Sequence, residues 1–441
     1  MSAPLSTLRD RLDKQTAVVG VIGLGYVGLP QALAFGEAGF PVLGFDIDQA
    51  KGEAIARGES YLNHIPSVRI ARLVERGKLG ATDDFSRLGE CDVIVICVPT
   101  PLTAQREPDL SAITGTVQSL VPRLRAGQLV VLVSTTYPGT AEELVRPALE
   151  ATGLVVGRDV ALGYAPERED PGSSAFGLQN TPKLVAGCTE VCRDLTERLY
   201  RQVVEKVIPV STPRVAEAAK LLENIYRAVN IALVNELKLC FDRMGLDVWE
   251  VIEAAATKPF GFTPFTPGPG LGGHCLPIDP FYLTWKAREY DVHTRFIELA
   301  GEINTAMPEY VVGRIREALS RQGVALKGAR LLILGVAYKR DIGDTRESPA
   351  LRILWLLRQE GAEVRYHDPF VPRLGRFRKY EFDLESTPLS AEVLQDCHAV
   401  VIITDHSSID YGFVVRHARL VVDTRNATRG VAVGRERILK A

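Results

Sequence analysis

The feature that most constrains this chain lies near its start, in the stretch "AVVGVIGLGYVGLPQALAFGEAGFPVLGFDID". An apolar run is followed by a glycine-rich turn, a segment with helical spacing and a second apolar run that ends in an acid. This order predicts a strand, a tight turn, a helix and a parallel strand. A chain that begins in this way is expected to build a mostly parallel sheet with helices on both faces.

The glycine-rich turn has the pattern GxGxxG and opens the predicted helix. In motifs of this kind the first glycine makes the turn, the second lets the backbone approach a pyrophosphate, and the third lets the helix meet the strand. The helix N-terminus then attracts negative charge. We therefore predict a dinucleotide site whose turn consists of Gly23, Gly25, Tyr26, Val27 and Gly28.

The preferred dinucleotide follows from Asp46, which ends the next strand about twenty residues further on. Its carboxylate would accept both ribose hydroxyls and repel a 2′-phosphate, so NAD is expected rather than NADP. Lys51 is close enough in sequence to oppose that preference.

Composition excludes several classes of protein. The formal net charge of −2 provides no basic field for nucleic acid or an acidic membrane surface. We expect no secretion signal and no membrane span, because the apolar runs are short and interrupted. The seven scattered cysteines contain no CxxC pair, so we expect neither a disulfide framework nor a metal site. Such cysteine usage is typical of a reducing compartment, and we therefore expect a cytoplasmic location.

The hydrophobic period divides the chain into three parts. Strands and helices alternate over residues 1–211, which we assign to an NAD-binding Rossmann domain. Helical spacing dominates residues 212–309, where one long helix begins at Pro213 and ends at Gly245. Strand and helix alternate again over residues 310–441. The predicted fold class is α/β, with two doubly wound Rossmann-like domains joined by a central helical domain.

The third part differs from the first in the turn after its first strand, "ILGVAYKRDIGDTRESP". The glycine triplet is absent, and Lys339, Arg340 and Arg346 occur instead. Cationic groups at a strand end suit a phosphorylated ligand, whereas the same charges could also belong to a solvated loop. A second dinucleotide is not expected there.

The loop "GPGLGGHCLPIDPF" fits neither helical nor strand spacing, and it carries Cys275. A cysteine thiolate adds to aldehydes, and the adduct can lose a hydride to give a thioester that water then cleaves. Such a cysteine needs exposure and close backbone approach, which Gly272 and Gly273 would permit. His274 and Asp279 are its polar neighbours, and a buried structural cysteine is the alternative.

Three further polar residues are candidates for the same chemistry. Lys220 and Asn224 are four residues apart on the long helix and share a face, where they could stabilise an oxyanion; a snorkelling surface lysine is the alternative. Glu167 follows a strand that should end at the cofactor edge of the sheet. It is a candidate base or water-positioning carboxylate, or else a loop acid that pairs with Arg168.

The motifs GxGYVGLP, CVPTP, STTYPGT, APERxxPG, AKLLEN, GPGLGGHC and GVAYKxxxxDxRESP occur in this order along the chain. Together they resemble the UDP-glucose/GDP-mannose 6-dehydrogenase family of NAD-dependent, four-electron enzymes. The resemblance covers nearly the whole chain. Within the family it is closest to the bacterial UDP-N-acetylglucosamine 6-dehydrogenases, which supply surface polysaccharides, including lipopolysaccharide.

The resemblance implies a role for each matching residue. Cys275 would be the nucleophile, Lys220 and Asn224 would stabilise the oxyanion, and Asp279 would help to activate water. Thr135 and Glu167 would hold that water or transfer protons. The cofactor would be NAD, and its site would consist of Gly23, Gly25, Tyr26, Val27, Gly28, Asp46, Lys51, Thr100, Thr135 and Arg346. A UDP-sugar would contact Glu167, Lys220, Asn224, Gly272, Lys339 and Arg425, and the central helices would form a homodimer.

Two positions depart from the pattern of relatives that act on UDP-glucose. Those relatives carry a second glutamate at the position of Pro171. Asp170 is a candidate to substitute for it, but we do not favour that assignment. They also use an arginine from the partner subunit, for which Lys258 is the nearest basic residue here.

Four alternatives remain open from the sequence: UDP-N-acetylmannosamine or UDP-glucose as the substrate, a simple hydroxyacid dehydrogenase that uses Lys220 without Cys275, and a non-catalytic nucleotide-sugar sensor.

Overall fold

The computed structural model describes residues 1–62, 64–103, 105–169, 177–273 and 275–441. These residues form two compact units. The first unit contains residues 1–223 and 281–292, and the second contains residues 224–280 and 293–441. The domain boundaries predicted at 211/212 and 309/310 stay predictions.

The first unit is built on an eight-stranded sheet in the order β3-β2-β1-β4-β5-β6-β7-β8. Neighbouring strands are parallel except for the antiparallel pair β6 and β7. The strands are β1 (Val19–Ile22), β2 (Val42–Phe45), β3 (Leu79–Thr82), β4 (Val93–Ile96), β5 (Leu129–Leu132), β6 (Ala161–Tyr164), β7 (Lys183–Gly187) and β8 (Val207–Pro209).

Helices connect these strands and cover the sheet. Every residue of β1, β4 and β5 is buried, as expected for central parallel strands with helices on both faces. The helices are α1 (Ala3–Asp13), α2 (Gly28–Glu37), α3 (Gln49–Ala56), α4 (Ser67–Glu75), α5 (Ser111–Leu120), α6 (Arg146–Glu150) and α7 (Glu190–Arg201). Short 3-10 turns lie at Phe85–Glu90 and Val121–Arg123, and a π-helical turn lies at Ala141–Val145.

The predicted long helix is confirmed as α8 (Pro213–Met244), which has 32 residues. Proline suits the first position of a helix because the backbone N–H that it lacks would have no partner there. The helix stops before Gly245, whose φ of 73° glycine adopts without strain. Residues up to Glu223 belong to the first unit, and residues from Asn224 onward belong to the second.

The central helical region continues after α8, followed by the second sheet. The helices are α9 (Val248–Ala256), α10 (Asp279–Ala287) and α11 (Arg295–Arg321), with a 3-10 turn at Arg288–Tyr290. The loop between α9 and α10 was expected to extend to Phe281, but α10 already begins at Asp279. The Asp-Pro pair at its start, an acid followed by proline in the first turn, is a helix-start signal in the sequence.

The second unit contains a parallel sheet in the order β10-β9-β13-β14-β15 and a separate antiparallel hairpin, β11-β12. Its elements are β9 (Arg330–Leu334), α12 (Pro349–Gln359), β10 (Glu363–His367), β11 (Arg373–Arg376), β12 (Glu381–Glu385), α13 (Ala391–Asp396), β13 (Ala399–Ile402), α14 (Tyr411–His417), β14 (Val421–Asp423), a 3-10 turn (Arg435–Arg437) and β15 (Ile438–Lys440). The predicted fold class, with two Rossmann-like domains and a helical middle, is confirmed. None of the described helices is long and apolar enough to cross a lipid bilayer.

Candidate active site

The glycine-rich turn of the first unit has the geometry that a dinucleotide needs. A β-carbon on Gly23, whose φ is 88°, would lie 2.7 Å from the carbonyl oxygen of Cys97, and one on Gly28 would lie 1.8 Å from the carbonyl oxygen of Gly23. A β-carbon on Gly25 would meet no heavy atom within 4 Å. The first and third glycines are therefore required by the fold, and the second leaves open space for a pyrophosphate.

Asp46 lies at the end of β2 beside this turn. Its carboxylate accepts the backbone N–H of Leu24 at 2.8 Å and that of Asp48 at 3.0 Å. The Lys51 ammonium donates to it at 2.9 Å. Because Lys51 is paired with Asp46, its positive charge is neutralised and does not attract a 2′-phosphate.

A cavity of about 260 Å³ opens beside Asp46. Four acidic side chains line it: Asp46, Asp48, Glu53 and Asp83. This concentration of negative charge suits the hydroxyls of a ribose and disfavours a phosphate there. The residues present therefore fit NAD.

The remaining residues expected near the cofactor lie in both units. In the first unit, Thr135 is half-buried just beyond β5, and the carbonyl oxygen of buried Thr100 accepts the Tyr282 hydroxyl at 3.0 Å. In the second unit, the exposed Arg346 guanidinium donates to Asp344 at 2.6 Å.

Glu167 is the centre of a polar network in the first unit. One carboxylate oxygen accepts the backbone N–H groups of Arg168 at 2.7 Å and Glu169 at 3.0 Å. The other oxygen accepts Gln31 Nε2 at 3.0 Å and Lys183 Nζ at 2.9 Å. Burial alone would raise the pKa of Glu167, but Lys183 and the two backbone N–H groups outweigh it and hold the pKa below the usual value. The geometry therefore describes an ionised carboxylate whose acceptor sites are occupied.

Sequence reasoning missed Glu217, which is fully buried on α8, one turn before Lys220. Its two carboxylate oxygens accept the backbone N–H groups of Gly139, at 2.5 Å, and Ala141, at 3.0 Å. Burial raises the pKa of Glu217 to about 7, although both hydrogen bonds favour the charged form. The positions of Glu217, Lys220 and Asn224 on one helix face (i, i+3, i+7) were the signal in the sequence.

Lys220 is buried, with 7% of its surface exposed. The described parts of the chain supply no hydrogen-bond partner for its ammonium group. An unpaired charge at such a place is costly, so a ligand anion is a natural partner. This observation disfavours a snorkelling surface lysine.

Cys275, Asn224 and Asp279 come together in the second unit. Asn224 Nδ2 donates to the Asp279 carboxylate, and both side chains are buried. The backbone N–H of Asp279, the first residue of α10, donates to the carbonyl oxygen of Cys275 at 2.8 Å. This bond holds the cysteine next to the N-terminal end of α10. Cys275 itself is half-buried, as a nucleophile that must meet a substrate requires.

The glycines before Cys275 are needed for close packing within the second unit. A β-carbon on Gly272 would lie 2.6 Å from Tyr338 Cβ, and one on Gly273, whose φ is 81°, would lie 2.9 Å from the Tyr338 ring. The backbone N–H of Gly273 donates to the carbonyl oxygen of Arg346 at 3.0 Å. The cysteine loop thus rests on the turn that carries the predicted UDP-sugar contact Lys339, and sequence reasoning missed Tyr338.

Arg425, the other predicted contact of the UDP-sugar, approaches the same loop. Its Nε donates to the carbonyl oxygen of Ile403 at 3.0 Å, and a β-carbon on Gly268 would lie 2.5 Å from its guanidinium. Burial lowers the pKa of Arg425 to about 10, against the opposing effect of Asp423.

Some predicted features cannot be placed. Asp170, Pro171 and His274 lie outside the described residues. Within the described ranges there is no group of three His, Cys, Asp or Glu side chains that could hold a metal ion.

Comparison with known proteins agrees with this geometry. Three models of the UDP-glucose/GDP-mannose dehydrogenase family match the chain: the NAD binding domain over residues 17–204, the central domain over residues 214–306 and the UDP binding domain over residues 332–430. The chain belongs to this dehydrogenase family. It is therefore an NAD-dependent UDP-sugar dehydrogenase.

Individual relatives of this dehydrogenase differ in substrate. It is 37% identical to the UDP-N-acetyl-D-mannosamine dehydrogenase of Pyrococcus horikoshii, over 94% of this chain and 97% of that protein. It is 36% identical to the UDP-N-acetyl-D-glucosamine 6-dehydrogenase of Pseudomonas aeruginosa, over 84% and 87%. The solved structure of the Pyrococcus horikoshii UDP-D-ManNAc dehydrogenase superposes with a TM-score of 0.85 at 34% identity, covering 95% and 97%.

We predict that Asp46→Asn relaxes the preference of the dehydrogenase for NAD. The amide keeps the shape of the side chain but removes the charge that opposes a 2′-phosphate. The ratio of kcat/KM for NAD to that for NADP should fall at least tenfold, or about 1.4 kcal/mol. Glu53→Gln, which removes one charge from the same cavity, is the control and should change the ratio much less. An unchanged ratio in Asp46→Asn would refute the ribose assignment.

We predict that Glu217 makes stability depend on pH. The folded dehydrogenase protonates Glu217 near pH 7 and the unfolded chain near pH 4.5, so the protonated carboxyl stabilises the fold at low pH. This contribution is fully present below pH 4.5 and is lost as the pH rises through 7. It amounts to roughly 3 kcal/mol.

The measurement compares urea unfolding of the wild type with that of Glu217→Gln, a neutral side chain of the same size. Between pH 4.5 and 7.5 the wild type should lose stability relative to the glutamine variant. A difference that is constant over this range would show that Glu217 does not titrate there.

Proposed function

We propose that this dehydrogenase oxidises the C6 hydroxymethyl group of UDP-N-acetylglucosamine twice and releases UDP-N-acetylglucosaminuronic acid, a precursor of surface polysaccharide. The observation that carries the proposal is Cys275, which is half-buried just before α10. Its carbonyl oxygen accepts the backbone N–H of Asp279, whose carboxylate accepts Asn224 Nδ2. A simple alcohol dehydrogenase has no use for a nucleophile at that place.

The proposed reaction proceeds through a covalent adduct of Cys275 with C6 of the sugar. NAD would supply the hydride acceptor, with a second NAD replacing the NADH that the first oxidation forms. The Cys275 thiolate adds to the C6 aldehyde after the first oxidation, and loss of a hydride from this thiohemiacetal gives a thioester. Water then adds to the thioester carbonyl, and the thiolate leaves as the acid forms. The aldehyde therefore stays attached to the protein between the two oxidations.

Charge stabilisation falls to two side chains of α8. Each oxidation and the hydrolysis places negative charge on the oxygen at C6. Buried Lys220 provides a cation, and Asn224 provides an amide already oriented by Asp279. Both groups act most strongly where that charge develops, so their contribution appears in kcat.

The residues considered for proton transfer and for holding the hydrolytic water are Asp279, Thr135 and Glu167. Protonation of Glu167 would break its pair with Lys183, and its acceptor sites are already filled. We therefore assign Glu167 to positioning of the loop that follows β6 in the first unit. Asp279 and Thr135 remain to orient the hydrolytic water.

UDP-N-acetylmannosamine is the second candidate substrate, because the Pyrococcus horikoshii relative carries that activity in its name. The two sugars are epimers of the same mass, so they must be assayed separately. The ratio of kcat/KM for the two substrates, with UDP-glucose as a third, decides between them. A higher value for UDP-N-acetylmannosamine or UDP-glucose would change the substrate and leave the chemistry in place.

The four-electron chemistry predicts that the wild type forms two NADH for each UDP-sugar consumed. Cys275→Ser should reduce this ratio to one or less and slow turnover at least a thousandfold, because serine is a poor nucleophile without an activating base. Cys240→Ser, which changes an exposed cysteine on α8, is the matched control and should keep two NADH per sugar.

Two results would contradict this mechanism. The first is a wild type that forms one NADH per sugar and releases an aldehyde, trapped with hydroxylamine. The second is Cys275→Ser with full activity, which would favour a simple two-electron dehydrogenase. Binding of UDP-sugar without any NAD reduction would instead indicate a sensor.

We also propose a homodimer formed through the central helices, in the cytoplasm, where a reducing environment keeps cysteines unpaired. All seven cysteines are free of disulfide bonds. Exposed apolar side chains recur on α8 and α11, among them Leu233 and Phe296, which are 52% and 81% exposed. Apolar surface of this kind is typical of an interface when it is contiguous.

The dimer predicts a solution mass of twice 48.3 kDa. The double variant Leu233→Glu/Phe296→Glu should move the mass toward 48.3 kDa in light-scattering measurements, because burying two charges in an apolar interface is costly. Val433→Glu changes an equally exposed apolar residue in the last domain and should leave the mass unchanged. A monomeric wild type would contradict the proposal.

A further inference from the structure

A buried pair of polar side chains lies in the second unit, beyond the ends of β10 and β13. His406 and Asp368 both have fully buried side chains, and His406 Nε2 is 3.0 Å from Asp368 Oδ2. Neither residue has a role in the proposed chemistry. A buried polar pair is costly unless it is fully hydrogen-bonded, so its other partners show what it does.

The protonation state of His406 follows from its second ring nitrogen. The backbone N–H of Asp341 points at His406 Nδ1 over 3.0 Å. A backbone N–H can only donate, so Nδ1 is an acceptor and carries no proton. The proton must then be on Nε2, which donates to Asp368. The imidazole is therefore neutral, and its tautomer is fixed from both sides.

Asp368 is a rigid support for this imidazole. Its Oδ2 also accepts the backbone N–H groups of Val336 at 2.7 Å and Ala337 at 3.1 Å. Its Oδ1 accepts those of Phe370 at 2.8 Å and Val371 at 3.1 Å. A carboxylate with this many partners cannot rotate, so the His406 ring has one position.

The segment that His406 holds is the turn after β9, which carries Lys339. Asp341 has a φ of 60°, which costs free energy for any residue with a side chain. Such a conformation persists only where surrounding contacts impose it. Two contacts do so here: the bond from the Asp341 N–H to His406, and the bond from the Ser407 N–H to the Asp341 carboxylate at 2.8 Å.

We propose that His406 is a positioning residue for the UDP-sugar. Its neutral imidazole, fixed by Asp368, accepts the Asp341 N–H and so holds the turn after β9, which sets the position of Lys339. The proposal rests on the proposed function, in which Lys339 contacts the substrate. It assigns the effect to one atom, the Nδ1 acceptor, and this can be tested with two substitutions that separate the ring nitrogens.

Asparagine and glutamine can each reproduce one of the two hydrogen bonds that His406 makes. In His406→Asn the side-chain oxygen can occupy the place of Nδ1 and accept the Asp341 N–H. In His406→Gln the longer side chain can place its NH₂ group at Nε2 and donate to Asp368, but no acceptor remains for Asp341. Each variant loses one of the two hydrogen bonds that His406 makes, so a general loss of stability affects both.

The experiment titrates UDP and NAD into the full-length wild type and both variants by calorimetry. We expect His406→Gln to weaken UDP binding at least tenfold and to raise KM for the UDP-sugar similarly, with kcat at saturation within threefold. His406→Asn should keep UDP binding within threefold of the wild type. NAD binding should be unchanged in both, which shows that the first unit is intact.

Equal weakening of UDP binding by both variants would overturn the proposal, as would wild-type affinity in His406→Gln. If the wild type itself does not bind UDP, the proposed function fails and this inference fails with it. A second measurement does not depend on the glutamine variant folding. In ¹⁵N-histidine spectra of the wild type at pH 7.5, the His406 signal, assigned as the one missing in His406→Asn, should report a neutral ring protonated on Nε2. A ring protonated on Nδ1 would overturn the proposal.

Discussion

The main sheet of each unit depends on the same interaction, an aspartate that accepts backbone N–H groups from the turn after the neighbouring strand. Asp46 at the end of β2 accepts the Leu24 N–H, and Asp368 at the end of β10 accepts the Val336 and Ala337 N–H groups. In each case the turn begins with a glycine of positive φ, Gly23 or Gly335, which lies too close to the adjacent strand for a side chain. The aspartate therefore fixes the turn that follows β1 in the first unit and β9 in the second.

The two aspartates then have different consequences. Asp46 borders a cavity with acidic walls and keeps part of its carboxylate available for a ribose. Asp368 has every acceptor position filled and no exposed side-chain surface. The same element of a Rossmann fold thus borders an open cavity in the first unit and serves only as a support in the second. The absence of a dinucleotide at the second turn, expected from the missing glycine triplet, stays a prediction, and the missing triplet could not reveal this support.

Much of the fold could be predicted because it depends on local periodicity. The turn at residues 23–28, the long helix α8 and the strands β9, β10, β13 and β14 were all predicted from apolar spacing, whereas the β11-β12 hairpin was not. The residues that were missed act through partners that are distant in sequence. Glu217 binds the backbone near residue 140, Tyr338 packs on Gly272 and Gly273, and His406 binds Asp341. No periodic pattern encodes contacts of that kind.

Hydrophobic spacing alone does not explain the buried polar residues on the long helix α8. Glu217, Lys220 and Asn224 lie on one face of α8 and are almost completely buried. Each would normally be destabilising in an apolar stripe, since burying a polar group without a hydrogen bond, or a charge without a partner, is costly. Here Glu217 satisfies the N–H groups at residues 139 and 141, and Asn224 is held by Asp279. Lys220, between them, has no such partner among the described residues, and the proposed mechanism would supply one: the negative charge that forms on the C6 oxygen in the transition state of each oxidation.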